Sequence, residues 1–270
     1  MTVLTVFFGI IDRVILMAEK QEPTEAPDKQ TLNRVKEIIG SKAWYGLDPE
    51  TGAFNWSISI NQIAEMLGFE DREPDVRTAF ESGFTPDTLS QVTVPLEDGR
   101  SKQISLIEAV AERNIEHFIW TVGDVSWQKT KMKLTGAADL IDEEHFVCLP
   151  LNKLAELKTI LHKLQARKRS QPMHVIVVDD KPANTEAAKK ASQEYESSSA
   201  NGPTFTIGDY TMKLNDPKAD AQAFYKFLVA YQEQHPDEEV VVILDFDGVV
   251  ANTDQALFGP VAEQLARLLS

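Results

Sequence analysis

A single cysteine, Cys148, stands in 270 residues, so the chain has no intramolecular disulfide framework, and no Cys/His grouping has the spacing of a zinc site. One lone thiol fits a reducing compartment and places the chain in the cytoplasm. Positive charge is also scarce: 27 Lys and Arg stand against 42 Asp and Glu, a formal net charge of -15. Such a surface repels phosphate backbones and anionic lipid, which excludes nucleic acid and membrane as principal partners. The one basic cluster, Lys163 with Arg167, Lys168 and Arg169, reads as the decorated end of a helix, where cations favour the dipole. Long apolar runs are missing too. The most apolar stretch, residues 3–17, is interrupted by Asp12 and Arg13 and lacks a basic flank, so it neither spans a bilayer nor reads as a targeting segment. Its Val3, Leu4, Phe7, Phe8, Ile11, Val14 and Ile15 recur at helical spacing, as in a helix packed on its own protein. No internal repeat is visible.

What is present is 43% apolar residues, ample for one large α/β domain or a core with a smaller accessory module. The chain is organised around Glu239-Val240-Val241-Val242-Ile243-Leu244-Asp245-Phe246-Asp247-Gly248-Val249-Val250. Five apolar, mostly β-branched residues in succession predict a strand buried on both faces of a parallel sheet and ending at Asp245. Side chains two apart on extended chain share a face, so Asp245 and Asp247 project together from the carboxyl end of the strand, where open α/β sheets bind ligands. Two converging carboxylates repel, and Mg²⁺, a hard cation that prefers oxygen ligands, relieves the repulsion. Gly248 then permits a sharp turn. The plainer alternative is a core strand running into an acidic turn.

Residues 18–30 are polar, hold Pro23 and Pro27, and read as a linker or exposed loop. Helical periodicity follows over 31–39 and 60–67, with the loop Gly46-Leu47-Asp48-Pro49-Glu50-Thr51-Gly52 between. Pro74, Pro86 and Pro95 break up the next region, and residues 1–100 form a mainly helical module. Its aromatics Trp44, Tyr45, Phe54, Trp56 and Phe69 serve core packing first and a pocket lining second. From Ser105 helix and strand alternate. Ser105 and Glu108 make a capping-box signature, and 117–120 form a strand ending at Thr121. A helix bearing Gln128, Lys131 and Met132 stops near Gly136. A strand over 146–149 precedes a helix with Lys153 in its first turn. A strand over 174–178 ends at Asp179 and Asp180 before another helix. After a polar linker at 197–203 come an edge strand over 205–207 and a helix over 219–231.

Three strand ends thus carry polar residues on an apolar framework: Thr121, the pair Asp179 and Asp180, and the pair Asp245 and Asp247. In a parallel sheet all carboxyl ends share one edge, within reach of Lys153. Phosphoryl transfer needs such parts: a nucleophile, a metal with further acidic ligands, and donors for the non-bridging oxygens. Taken singly, Thr121 could be a helix cap and Lys153 surface charge.

Together these residues resemble the haloacid dehalogenase-like hydrolases. Leu244-Asp245-Phe246-Asp247-Gly248-Val249 matches that family's first motif. Trp120-Thr121-Val122-Gly123-Asp124 with Gln128 and Lys131 is similar to the second. Lys153, with Lys158 in reserve, fits the third, and Val178-Asp179-Asp180 with Asn184 the fourth. The order here is second, third, fourth, first, so the resemblance implies a circular permutation cut within a cap module. Residues 1–100 would be most of the cap, 101–255 a Rossmann-like α/β core, and 256–270 a helix returning to the cap.

The resemblance further implies a Mg²⁺-dependent phosphatase acting on a small phosphorylated metabolite. Asp245 would be the nucleophile, giving an aspartyl-phosphate, and Asp247 the acid and base. Thr121 and Lys153 would hold phosphoryl oxygens. Mg²⁺ would lie between Asp245, the main-chain carbonyl of Asp247, and Asp180, with Asp179 as the neighbouring acid. An acid at position 247 favours phosphate esters over carbon–halogen bonds. Two alternatives belong to other classes: a receiver-like phospho-acceptor, which Val177-Val178-Asp179-Asp180-Lys181-Pro182 also resembles, and a catalytically silent interaction protein on the same core.

Overall fold

The computed structural model describes residues 26–50, 55–89, 91–95, 103–149, 153–167, 170–196, 204–212 and 217–269. The apolar stretch at 3–17, the linker at 197–203 and Phe54 lie outside them.

The amino-terminal part is helical, as the periodicity predicts. Helix α1, Lys29–Ser41, starts inside the expected linker because the Asp28 carboxylate accepts the main-chain N–H groups of Gln30 (2.8 Å) and Thr31 (3.0 Å), satisfying donors that a helix start leaves open. Helix α2, Trp56–Leu67, is capped by Asn55 and stopped by Gly68 in the left-handed region. Helix α3, Glu73–Ser82, carries Pro74 in its first turn, where the missing N–H does no harm. Val35, Ile39, Ile60, Ile63, Val76 and Phe80 point inward and are buried.

Strands β1, Thr93–Pro95, and β2, Gln103–Ser105, pair antiparallel, so this small ladder straddles the expected boundary near residue 100. Ser105 caps α4, Leu106–Glu112, by accepting the N–H of Glu108. Then follow β3 Glu116–Val122, α5 Val125–Thr135, β4 Phe146–Leu149, α6 Lys153–Ala166, β5 Met173–Asp179, α7 Pro182–Glu196, β6 Phe205–Thr211, α8 Pro217–Gln234 and β7 Glu239–Leu244. The sheet order is β4-β3-β7-β5-β6 and every neighbouring pair is parallel. This is an α/β fold with a Rossmann-like parallel sheet. The edge strand β6 runs past the expected 207 because its register with β5 continues to Asp179↔Thr211.

Strand β7, late in the chain, lies at the centre. Its period-two alternation splits it between two cores: Val240, Val242 and Leu244 join the side packed with α4 and α8, and Val241 and Ile243 the side packed with α6 and α7. Burial on both faces is why the run shows no polar alternation. Among the described residues no helix is long and apolar enough to cross a membrane.

The expected closing helix is broken. It divides into α9, Thr253–Ala256, a π-helical segment, Leu257–Val261, and α10, Ala262–Leu268. Gly259 sits at φ -106°, ψ -105° just before Pro260, which has no N–H to give to the ladder, so the hydrogen-bond pattern slips there. Helix α10 still packs against α1 and α3. Where α3 ends, a Cβ on Gly83 would stand 2.5 Å from the Val261 Cα and 2.7 Å from its N. Main chain cannot step aside as a side chain can. Gly83→Ala is therefore expected to lower stability by about 1–3 kcal/mol, the usual range for overpacking. Urea unfolding measures it, and an unchanged midpoint would mean that the helices separate freely.

Candidate active site and metal centre

Strands β5 and β7 are in register at Val178↔Leu244, so Asp179 and Asp245 emerge side by side from neighbouring strands. The Asp245 N–H still donates to the Val178 carbonyl at 2.9 Å. Lys153, the first residue of α6, reaches between them. Its Nζ lies 2.5 Å from Asp179 Oδ2 and 2.7 Å from Asp245 Oδ2. Trp120 on β3 fixes this lysine from beneath: its indole Nε1 donates to the Lys153 carbonyl at 2.7 Å, and its ring centroid is 4.5 Å from the ammonium, a cation–π distance. Asp179 also accepts from the Lys181 N–H (2.8 Å) and the Asn184 amide (3.0 Å). Asp245 Oδ1 takes the N–H of Phe246 at 2.8 Å.

The chain then turns through Gly248, at φ +86°. A Cβ there would lie 2.9 Å from Asp180 Cγ, so glycine is required both for the backbone and for the room. The turn sets Asp247 against a second cation. Lys131 Nζ donates to its two oxygens at 2.6 and 2.7 Å, Gln128 Nε2 lies 3.3 Å away, and the Thr253 hydroxyl also donates to it. Gln128 and Lys131 are three apart on α5 and so share a face. Asp124 starts that helix by accepting the N–H of Trp127.

Electrostatics separates the acids. Burial raises Asp245 to about 7, with Lys153 opposing and Asp179 and Asp247 adding to the rise. Burial likewise raises Asp180 to about 6, Lys181 opposing and Asp179 assisting. Burial acts upward on Asp247 as well, but Lys131, Thr253 and Gln128 outweigh it and hold this carboxyl below the ordinary carboxylate range. Against burial, the charges of Asp245, Asp180, Asp179 and Asp247 raise Lys181.

Carboxylate oxygens of Asp179, Asp180 and Asp245 lie within 4.8 Å of one another, and the buried Asp180 Oδ1 has no hydrogen-bond partner among the described residues. An acceptor left bare amid raised carboxyl groups fits a cation as its missing partner. This acidic triad can therefore bind a metal ion.

The sequence-derived residues meet at one sheet edge, at different depths. Asp180 and Asp247 line an open cavity of about 740 Å³. Asp245 and Lys153 form the ion pair just below, at 4% and 12% side-chain exposure. Thr121 is 1% exposed at the end of β3 and is not among the cavity-lining residues. Lys158 pairs with Glu194 at 2.7 Å on the outer surface, so of the two candidate lysines Lys153 is the one at the acids. Sequence reasoning missed Lys131 and Thr253 as partners of Asp247 and Lys181 at the cavity, whereas Tyr45 lines the cavity, the second of the two uses expected of it. The Gln128/Lys131 spacing was the available signal for the first. For the others only the fold supplies the contact. No family model, curated protein or solved structure matches the chain.

Raised carboxyls give a linkage with definite sign. From about pH 4 up to about 6–7 the folded, metal-free protein keeps protons on Asp180 and Asp245 that the unfolded chain has released, so stability falls as pH rises through that window. Asp247 acts oppositely, but below the ordinary carboxylate value of 3.8, outside the window. A divalent cation should thus raise the melting temperature more near pH 7.5 than near pH 5.5, and its affinity should weaken on acidification as protons compete. Asp180→Asn should abolish most of the cation-induced shift. Thermal melts with and without Mg²⁺ check this, and a shift independent of pH would contradict the site.

Proposed function

We propose that the chain is a divalent-metal-dependent phosphohydrolase of the haloacid dehalogenase-like type, circularly permuted, acting on a phosphorylated small molecule through an aspartyl-phosphate at Asp245. The observation that carries this reading is the clamp of Lys153 on Asp179 and Asp245 at adjoining strand ends, with the bare oxygen of Asp180 beside it. The central position of β7 between the strands ending in Thr121 and Asp179 supports the permuted core. The packing of α10 on α1 and α3 supports a cap built from both ends of the chain.

In the first step an Asp245 oxygen attacks phosphorus, the bond to the leaving oxygen breaks, and that oxygen gains a proton. In the second, water attacks the acyl phosphate, releasing inorganic phosphate and restoring the Asp245 carboxylate. Asp247 accepts the water's proton, a duty suited to a carboxylate held ionised by Lys131. The proton so gained is the one it delivers to the next leaving oxygen. Lys153 steadies the phosphoryl charge and orients Asp245, while Thr121, buried at the end of β3 and off the cavity lining, is given no phosphoryl contact. Asp180, Asp245 and the main-chain carbonyl of Asp247 would hold a divalent cation, which we take to be Mg²⁺ and which would supply charge neutralisation to the phosphoryl oxygens.

Asp245→Asn keeps the shape and removes the nucleophile, so turnover and any covalent phosphoenzyme should both vanish. Asp247→Asn should cost about 10²–10⁴ in rate, the range for general acid–base work. A nitrophenolate leaving group should partly rescue the first step of Asp247→Asn and leave Asp245→Asn inert. Wild-type Mg²⁺-dependent turnover by purified Asp245→Asn protein would refute the assignment. Absence of hydrolysis of any ester by the intact protein would leave the silent interaction protein as the better reading.

A further inference from the structure

The cavity over the acids has two unlike walls. Its floor is charged, with Asp180, Lys181 and Asp247. The opposite side, from the amino-terminal helices and α5, is aromatic. Trp56 and Trp127 stack face to face with centroids 4.7 Å apart and planes 5° from parallel, and Phe84 meets Trp127 edge-on at 5.0 Å. Trp44 lies behind Tyr45, edge-on at 4.6 Å. All five rings line the cavity. Most are buried, yet the mouth is apolar and open: Tyr45 is 44% and Leu47 58% exposed. Large apolar side chains left in water at the rim of a charged pocket mark a binding surface. A volume near 740 Å³ holds far more than a phosphoryl group. A molecule that fills it must offer an anionic end to the floor and a flat apolar body to the rings.

Resting on the phosphohydrolase reading, we infer that this cavity takes a phosphomonoester whose alcohol part carries an aromatic ring, seated between Tyr45, Leu47 and the Trp56–Trp127 stack. Sugar and polyol phosphates would leave that apolar wall against hydroxyl groups, and small alkyl phosphates would leave it wet. An aromatic body removes the rim from water and presents a ring edge or face to the stacked indoles.

Uncleavable probes separate recognition from chemistry. 2-Phenylethylphosphonate and propylphosphonate are titrated into the full chain with Mg²⁺, followed by calorimetry and by tryptophan emission, since three of the four tryptophans line the cavity. The aromatic probe is expected to bind roughly tenfold more tightly and to change the emission. Substituting Tyr45→Ala with Leu47→Ala should reduce that preference to within about threefold, and because both side chains are exposed the fold should persist. Leu47→Ala alone, expected to give part of the loss, serves if the pair unfolds. Equal affinities for the two probes, or a preference that survives these substitutions, would overturn the inference. So would 2-cyclohexylethylphosphonate binding as tightly as the phenyl probe, because burial without ring recognition would then suffice. Turnover of the matching phosphate esters reads the other claim. Selective binding without hydrolysis removes the phosphatase reading and upholds the ligand class, and hydrolysis of both esters without preference does the reverse.

Discussion

One ammonium between two buried carboxylates is the constraint on which this molecule turns. Asp179 and Asp245 are fully and almost fully buried, and without a counter-charge their juxtaposition would oppose closure of the sheet at its centre. Lys153 answers one net charge of the two, and Trp120 fixes the lysine by its indole N–H and its ring face. The remaining negative charge, together with Asp180, is what a metal or a solvent proton must balance. Stability and ligand affinity at this edge are therefore drawn from the same groups. The second pair, Lys131 with Asp247, is electrically complete, which is why the two aspartates of one short motif differ in proton affinity.

Much of this was legible in the sequence, because the strongest signals were physical ones. The unbroken apolar run before Asp245 is what a strand buried on both faces requires, and the two cores divide its residues by parity. Strand ends at Thr121 and Asp179 followed from where apolar residues gave way to polar ones. The extents were harder. Helix α1 began early because of a single carboxylate at Asp28, and β6 ran long because its partner did. The kink at Gly259 and Pro260 was written in the dipeptide, yet an otherwise continuous apolar periodicity concealed it. The interactions of Thr253 and Lys181 depend on which elements the sheet brings together, and no local pattern encodes that.

The aromatic residues show how one sequence feature can serve two ends. Trp44, Trp56, Phe80 and Phe84 are core residues by burial, and together with Trp127 they also form a wall of the cavity. Packing density and cavity shape are thus set by the same side chains. Changes in this wall will tend to carry changes of stability with them, and less so at Tyr45 and Leu47, which are exposed at the rim.

The central place of β7 bears on how the protein is made. Strands β3 and β5 touch each other only through it, since the order is β4-β3-β7-β5-β6, and it is translated after all the others. Until residues 239–244 have left the ribosome, the nascent chain holds two separate strand pairs with a gap between them, each exposing an unpaired parallel edge. Elongation thus withholds Asp245 from a chain that already carries Lys153 and Asp179. The acidic edge is therefore completed last, and the unfinished sheet depends on rapid completion or a holding chaperone to escape strand-to-strand aggregation.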